Sequence, residues 1–238
     1  GVIGVAIGVV LLPDLSRKLR AGNEAGALAS QNRALELSMF LTLPAAIALM
    51  AIPVPIIRTV FEHGAFTRAD TLAVAPAVLA FASGLPAFSL SKVFQPGFYA
   101  REDTKTPMRF ALISVAVNIA GSLILSRFLG HVGIALATSL AAWVNTILLG
   151  VTLSRRGLFS LDERSRKRLP RIVASGLVMG GLLLAGTWAL AADYAEGAGF
   201  RAALTGLVLL VSGGILSYFV LAHVTGAMRL GEIKSMLK

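Results

Sequence analysis

Uncharged runs long enough to cross a bilayer constrain this chain more than any single motif. Charged residues fall in clusters, and the stretches between them are apolar and close to the roughly 20 residues that a membrane helix needs. Seven predominantly apolar segments built on such runs can be drawn, at about residues 1–15, 35–60 (charge-free over 37–57), 71–100 (uncharged up to Lys92), 107–126, 132–154, 172–192 and 202–223. Charged residues make up only 14% of the chain and hydrophobic ones 56%. A soluble domain of this size would carry about 25% charge to cover its surface. A membrane β-barrel would need alternating segments of about 10 residues, and none is present. The pattern predicts an all-α, polytopic transmembrane helix bundle of about seven segments, the first of them truncated.

The signs of the charges then orient the bundle. The connections after segments one, three and five, together with the tail, hold 17 of the 22 Lys and Arg residues, and the other connections hold 4. Basic loops stay cytoplasmic, so this alternation predicts a multi-pass protein whose C-terminus is cytoplasmic. The net charge of +10 is accounted for by the same rule and by contact with anionic lipid. No basic patch sits in a soluble domain, so nucleic acid is not an expected partner. The chain has no cysteine, which excludes disulfides and thiolate metal sites. His63, His131 and His223 lie far apart at segment ends, without metal-ligand spacing. No G-x-S-x-G, P-loop or H-E-x-x-H pattern occurs, so neither an enzyme nor a cofactor is expected. Gly1 is already apolar and helix-like, which reads as a piece of a longer protein cut inside a helix.

Within this frame a few residues stand out. Lys92 is the one charge inside the apolar part of the third segment. A charge there is costly and needs a partner, a route to water or a function. Either its stem snorkels to the interface, or it faces a watery cavity and meets an anionic substrate. Ser114, Asn118 and Ser122 recur every four residues and share one helix face. Thr138, Ser139 and Asn145 lie on the next segment. For Asn118 and Asn145 the two readings are hydrogen bonding between helices, the ordinary use of such residues, and the lining of a substrate cavity. Asp14 and Arg17 stand where the first segment leaves the membrane, as a simple interfacial pair or as part of a cytoplasmic gate. Gly176 and Gly180 form a G-x-x-x-G on the sixth segment, which predicts close packing of the last two helices or a thin-walled groove for a lipid chain. Prolines at 44, 53, 55, 76, 86 and 96 predict kinks. Thr67, with Asp70 three residues on, predicts a helix cap. Residues 16–33 read as a polar linker.

Four stretches together resemble one family: GVAIGVVLLPDLSR (4–17), LPAAIAL (43–49), FEHGAFTRADT (61–71) and KVFQPGFYAREDTKTP (92–107). They are similar to the MurJ/MviN family of lipid II flippases, in the multidrug/oligosaccharidyl-lipid/polysaccharide exporter superfamily. The similarity runs from the start to about residue 155. The resemblance implies roughly the C-terminal half of a fourteen-helix protein of the bacterial inner membrane. Residues 1–155 would be the second lobe, 156–171 a basic cytoplasmic loop, and 172–238 two additional helices with a short tail. It implies translocation of undecaprenyl-diphosphate-linked peptidoglycan precursor, lipid II, by alternating access. Lipid II, membrane lipids and the missing N-terminal lobe would be its partners, and the coupling ion is left open. Lys92 falls at the family's lysine before P-G-F-Y, which implies a cavity position for it. Other lipid-linked oligosaccharide flippases, drug exporters and a non-transporting cell-wall scaffold are the alternatives.

Overall fold

The computed structural model describes residues 2–194 and 199–227. The described residues are helical, in the order α1 (Val2–Arg20), α2 (Glu24–Ala51), α3 (Pro53–Phe61), α4 (Arg68–Tyr99), α5 (Lys105–Leu129), α6 (His131–Arg155), α7 (Glu163–Ala189) and α8 (Phe200–Val224). A short 3₁₀ turn, Ala191–Tyr194, precedes α8. Six of these helices, α2 and α4 to α8, are long and apolar enough to span a membrane. Glu196, Gly197 and the tail residues Arg229, Glu232, Lys234 and Lys238, expected in a polar turn and a basic tail, lie outside the described residues.

The expected segments are present, with three differences. The first two helices are longer at their polar ends than the apolar runs. α1 continues through Pro13 to Arg20, and α2 already begins at Glu24 with Asn23 as its cap. The expected linker of residues 16–33 is therefore only three residues, because polar side chains on an exposed helix face are compatible with helix. The second segment divides. Ile52 leaves the helical region at φ −126° and Pro53 restarts the chain as α3. Pro53 and Pro55 lack the N–H groups that Leu49 and Ala51 would accept from, and their rings crowd the preceding turn. Isolated prolines at 44, 76, 86 and 96 stay inside continuous helices. Finally, half of the 156–171 stretch is helix. Asp162 caps α7, its carboxylate accepting from the Ser165 N–H at 2.7 Å.

The expected cap of α4 is formed in full. Asp70 accepts from the Thr67 N–H at 2.8 Å while Thr67 Oγ1 faces the Asp70 N–H. Gly64, in the preceding turn, takes a positive φ of 60°.

Packing divides into two cores. One gathers Leu11, Leu15, Val93, Phe94, Phe98 and Leu149 from α1, α4 and α6 near their basic ends. The other joins Phe40 and Ile52 of α2 to Ile172, Met179 and Leu183 of α7 and Leu210 and Tyr218 of α8. α2 belongs to both and is the spine between the lobe and the terminal pair. α4 and α6 touch closely at Gly84, where an added Cβ would lie 2.9 Å from the Ser139 Cα. Ser139, Trp143 and Thr146 donate to the carbonyls of Ala80, Ser83 and Ala87 at 2.6, 3.0 and 2.7 Å. α5 packs on α6 and keeps its other face bare, with Leu112, Ile119 and Leu123 all exposed. That distribution suits a helix at the lipid boundary.

The G-x-x-x-G motif is used differently from the expected pairing of the last two helices. A Cβ at Gly176 or Gly180 would strike Ile47 of α2, at 2.8 and 2.6 Å. The pair itself is closed by other glycines, Gly186 against Leu210 and Gly214 against Leu183. Thus the motif docks α7 on the spine, and α8 then packs on α7.

Candidate functional site

Lys92 lies on a face of α4 that the described residues leave uncovered. Phe81, Phe88, Lys92 and Tyr99 recur at helical spacing along this face, and all four are exposed. The stem of Lys92 lies across α1, where a Cβ on Gly4 would come 3.5 Å from its Cγ and one on Gly8 3.8 Å from its Cβ. The close approach has a second effect. Pro96 cannot donate to the carbonyl of Lys92, and Gly8 brings α1 against that same oxygen, which a Cβ there would meet at 3.3 Å. Two glycines of α1 thus seat both the backbone and the stem of Lys92. Among the described residues no acid pairs with its ammonium, which is free to meet an anion from outside this chain.

Asn118 and its neighbours are occupied by helix contacts. Ser114 donates to the Ala141 carbonyl at 2.8 Å, Asn118 to Thr138 Oγ1 at 3.4 Å, and Ser122 to Asn118 Oδ1 at 3.1 Å. This row binds α5 to α6. Asn145 lies on α6, half-buried, and its Oδ1 has no hydrogen-bond partner among the described residues. Asp14 accepts from Arg17 and Lys18 at 2.7 Å and from Ser30 of α2 at 2.7 Å, and Lys18 also contacts Ser30. The structure therefore groups Asp14 with Arg17 and α2, and among the described residues no hydrogen bond or ion pair links Lys92, Asn118 and Asn145 to one another.

The stretch after Lys92 builds a corner at the basic end of the bundle. Asp103 accepts from the N–H and hydroxyl of Thr106 at 3.0 and 2.7 Å and from Arg156 at 2.7 Å. Arg156 also donates to Thr106 at 3.1 Å and sits over the Phe98 ring at 5.7 Å. The hydrogen bonds from Thr106 and then Arg156 lower the Asp103 carboxyl to about 2. Glu102 accepts a positive φ of 62° to close the turn. The most distinctive motif of the sequence is thus a clamp on the ends of α4, α5 and α6, with Lys92 at its edge.

One residue went unnoticed in the sequence. Glu36 on α2 is an acid whose side chain is only 2% exposed. Its Oε2 meets Arg33 at 3.3 Å and Arg164 and Arg168 of α7 at 3.4 Å, while its Oε1 accepts from Ser165 at 2.8 Å. Beside it Asn32 donates to the Ser160 carbonyl at 3.0 Å, and Gln31 to the Val93 carbonyl at 3.2 Å. A lone acid entering an apolar run behind Gln31 and Asn32 was the available signal.

Between α2, α7 and α8 runs an apolar groove of about 360 Å³. Pro44, Ala48, Met179, Leu183 and Gly214 form its sides. Its polar group, the Tyr218 hydroxyl, is turned away and donates to the Phe40 carbonyl at 2.8 Å. The groove offers no recognition beyond hydrocarbon contact.

Comparisons with known proteins agree with this architecture. The family model described as "Lipid II flippase MurJ" matches residues 1–219. A probable lipid II flippase MurJ of Rhizobium tropici is 42% identical over all of this chain, which covers 45% of that protein. The Vibrio cholerae counterpart is 36% identical over 99% of the chain and 44% of its own length. A solved lipid II flippase MurJ in an inward closed conformation superposes with a TM-score of 0.74 at 27% identity, covering 94% of this chain and 43% of the other. The chain therefore spans less than half the length of the relatives it matches.

Proposed function

The chain belongs to the lipid II flippase MurJ family, and from that premise we propose that it supplies the second lobe and the terminal helix pair of a lipid II translocator. In this reading residues 1–155 form the lobe, and residues 172–238 carry the appended helices. The observation that carries the reading is the seat of Lys92. An ammonium with no acid partner among the described residues stands on an uncovered face of α4, held there by Gly4 and Gly8. A charge at such a position is retained where it meets substrate or water. The uncovered face is where the other half of the protein would close a cavity around a diphosphate. Lys92 then makes a charge-assisted contact with that group.

The polyprenyl tail stays in hydrocarbon, and the groove between α2, α7 and α8 is an apolar channel that fits it. Rocking of one lobe on the other exposes the cavity to each side in turn. The basic loops and the C-terminus face the cytoplasm, as the charge asymmetry supports. Within that frame Asp14, Arg17 and Lys18 act at the cytoplasmic end of α1, where they tie it to Ser30 of α2.

The test uses the full-length gene product in cells depleted of their own flippase. Lipid II reaching the outer leaflet is measured with protein abundance as control. Restored translocation is the expected result. A stable, membrane-inserted product that leaves lipid II inside overturns the assignment.

A further inference from the structure

At the basic end of the bundle α6 and α7 part company. α6 packs on α4 and α5, whereas α7 packs on α2 and α8. The gap above their connecting loop is a cleft of about 560 Å³. Phe94, Val151 and Leu161 give it apolar walls, and Ser154, Arg155 and Arg166 stand at its polar side. It shares no lining residue with the terminal-helix groove, and Lys92 is not among its walls.

The loop is crowded with cations, and most are committed. Arg156 is held by Asp103, Arg164 and Arg168 reach Glu36, and Lys167 pairs with Glu163 at 2.6 Å. Arg155 and Arg166, on the cleft side, are exposed and have no ion-pair partner among the described residues. Two uncommitted guanidiniums above apolar walls, at the end of two membrane helices, match one kind of ligand. It has a phosphate at the interface and a hydrocarbon chain below it. Guanidinium is well suited to the phosphate, and basic pockets between membrane helices on the positive side hold anionic head groups.

We propose that this cleft holds an anionic phospholipid of the leaflet the basic loops face, its phosphate between Arg155 and Arg166 and a chain along Phe94 and Val151. The net charge of the head group decides the preference. Phosphatidylglycerol leaves one negative charge for the two arginines, whereas phosphatidylethanolamine brings an ammonium that opposes them. The lipid wedges the gap between the lobe and the terminal pair and is not the transported molecule.

Native mass spectrometry of the full-length product, titrated with phosphatidylglycerol and with phosphatidylethanolamine, tests this. Arg155→Gln and Arg166→Gln should each weaken phosphatidylglycerol about fivefold, and the double variant about thirtyfold. Phosphatidylethanolamine should stay within about twofold in the same titrations, as a low-charge control. The double Arg→Lys variant retains most of the affinity if charge is what matters. Unchanged phosphatidylglycerol binding in the double glutamine variant overturns the proposal. So does an equal loss of phosphatidylethanolamine binding in the double glutamine variant, which makes the arginines structural. A parallel loss of undecaprenyl diphosphate binding also overturns it, by assigning the cleft to the transported lipid.

Discussion

Glu36→Gln removes one charge and almost no volume, so its cost reports the electrostatics of the α2–α7 junction alone. Gln keeps an oxygen for the Ser165 hydroxyl, which Glu36 Oε1 accepts at 2.8 Å. What is lost is the anion facing three guanidiniums. Arg33 and Arg164 are 35% and 33% exposed, so water screens them and each pairing is worth at most about 1 kcal/mol. Arg168 is only 12% exposed and contributes about 2 kcal/mol as a charged hydrogen bond in a buried setting. The expected loss is therefore about 3 kcal/mol, at the low end of the range for breaking a buried pair. Denaturant titration of the full-length product in detergent measures it. A double-mutant cycle with Arg168→Gln should return a coupling of about 2 kcal/mol, since the two residues are in contact. A loss below about 0.5 kcal/mol, or no coupling, refutes the reasoning, because the carboxylate would then contribute no more than an exposed pair.

Other expectations follow from single contacts. Gly84→Ala places a methyl 2.6 Å from Ser139 Oγ and 2.9 Å from its Cα, so the helices must separate at a cost of about 1–3 kcal/mol in thermal unfolding. Ser139→Gly in the same chain should recover part of that loss. The Asp103 carboxyl, lowered to about 2 by Thr106 and Arg156, contributes stability that is complete above its unfolded value near 3.8 and lost as pH falls toward 2. Protection of the Thr106 amide in hydrogen exchange should therefore hold steady down to about pH 4 and decline below it. Ala48→Trp fills the terminal-helix groove, and it should reduce lipid II translocation while abundance and membrane insertion are kept.

The spans were legible because membrane helices need uncharged runs of a fixed length, and the runs at 71–91 and 132–154 admit no other reading. The cap at Thr67 was legible because its partner lies three residues away. What could not be read depends on distant pairs. Glu36 meets Ser165 across 129 residues, and nothing local to either marks the other. The glycines at 176 and 180 announced a close approach but not its partner, which is Ile47 of α2 and not the neighbouring helix. The break at Ile52 and the continuity through Pro86 arise from the same residue type. A proline pair two residues apart removes two hydrogen bonds of the same turn, while a single proline removes one that the rest of the helix tolerates. For the candidate site, Lys92 was visible as a charge out of place, but its seat on Gly4 and Gly8 was not.

In the proposed function Lys92 handles the diphosphate of the transported lipid. Lys92→Ala and Lys92→Arg in the full-length product, in cells depleted of their own flippase, test it most directly. The alanine variant should be made and inserted normally but leave lipid II in the inner leaflet. The arginine variant restores part of the translocation, because it returns the charge without the compact ammonium. Normal translocation by the alanine variant would remove Lys92 from the diphosphate contact and make it an interface residue.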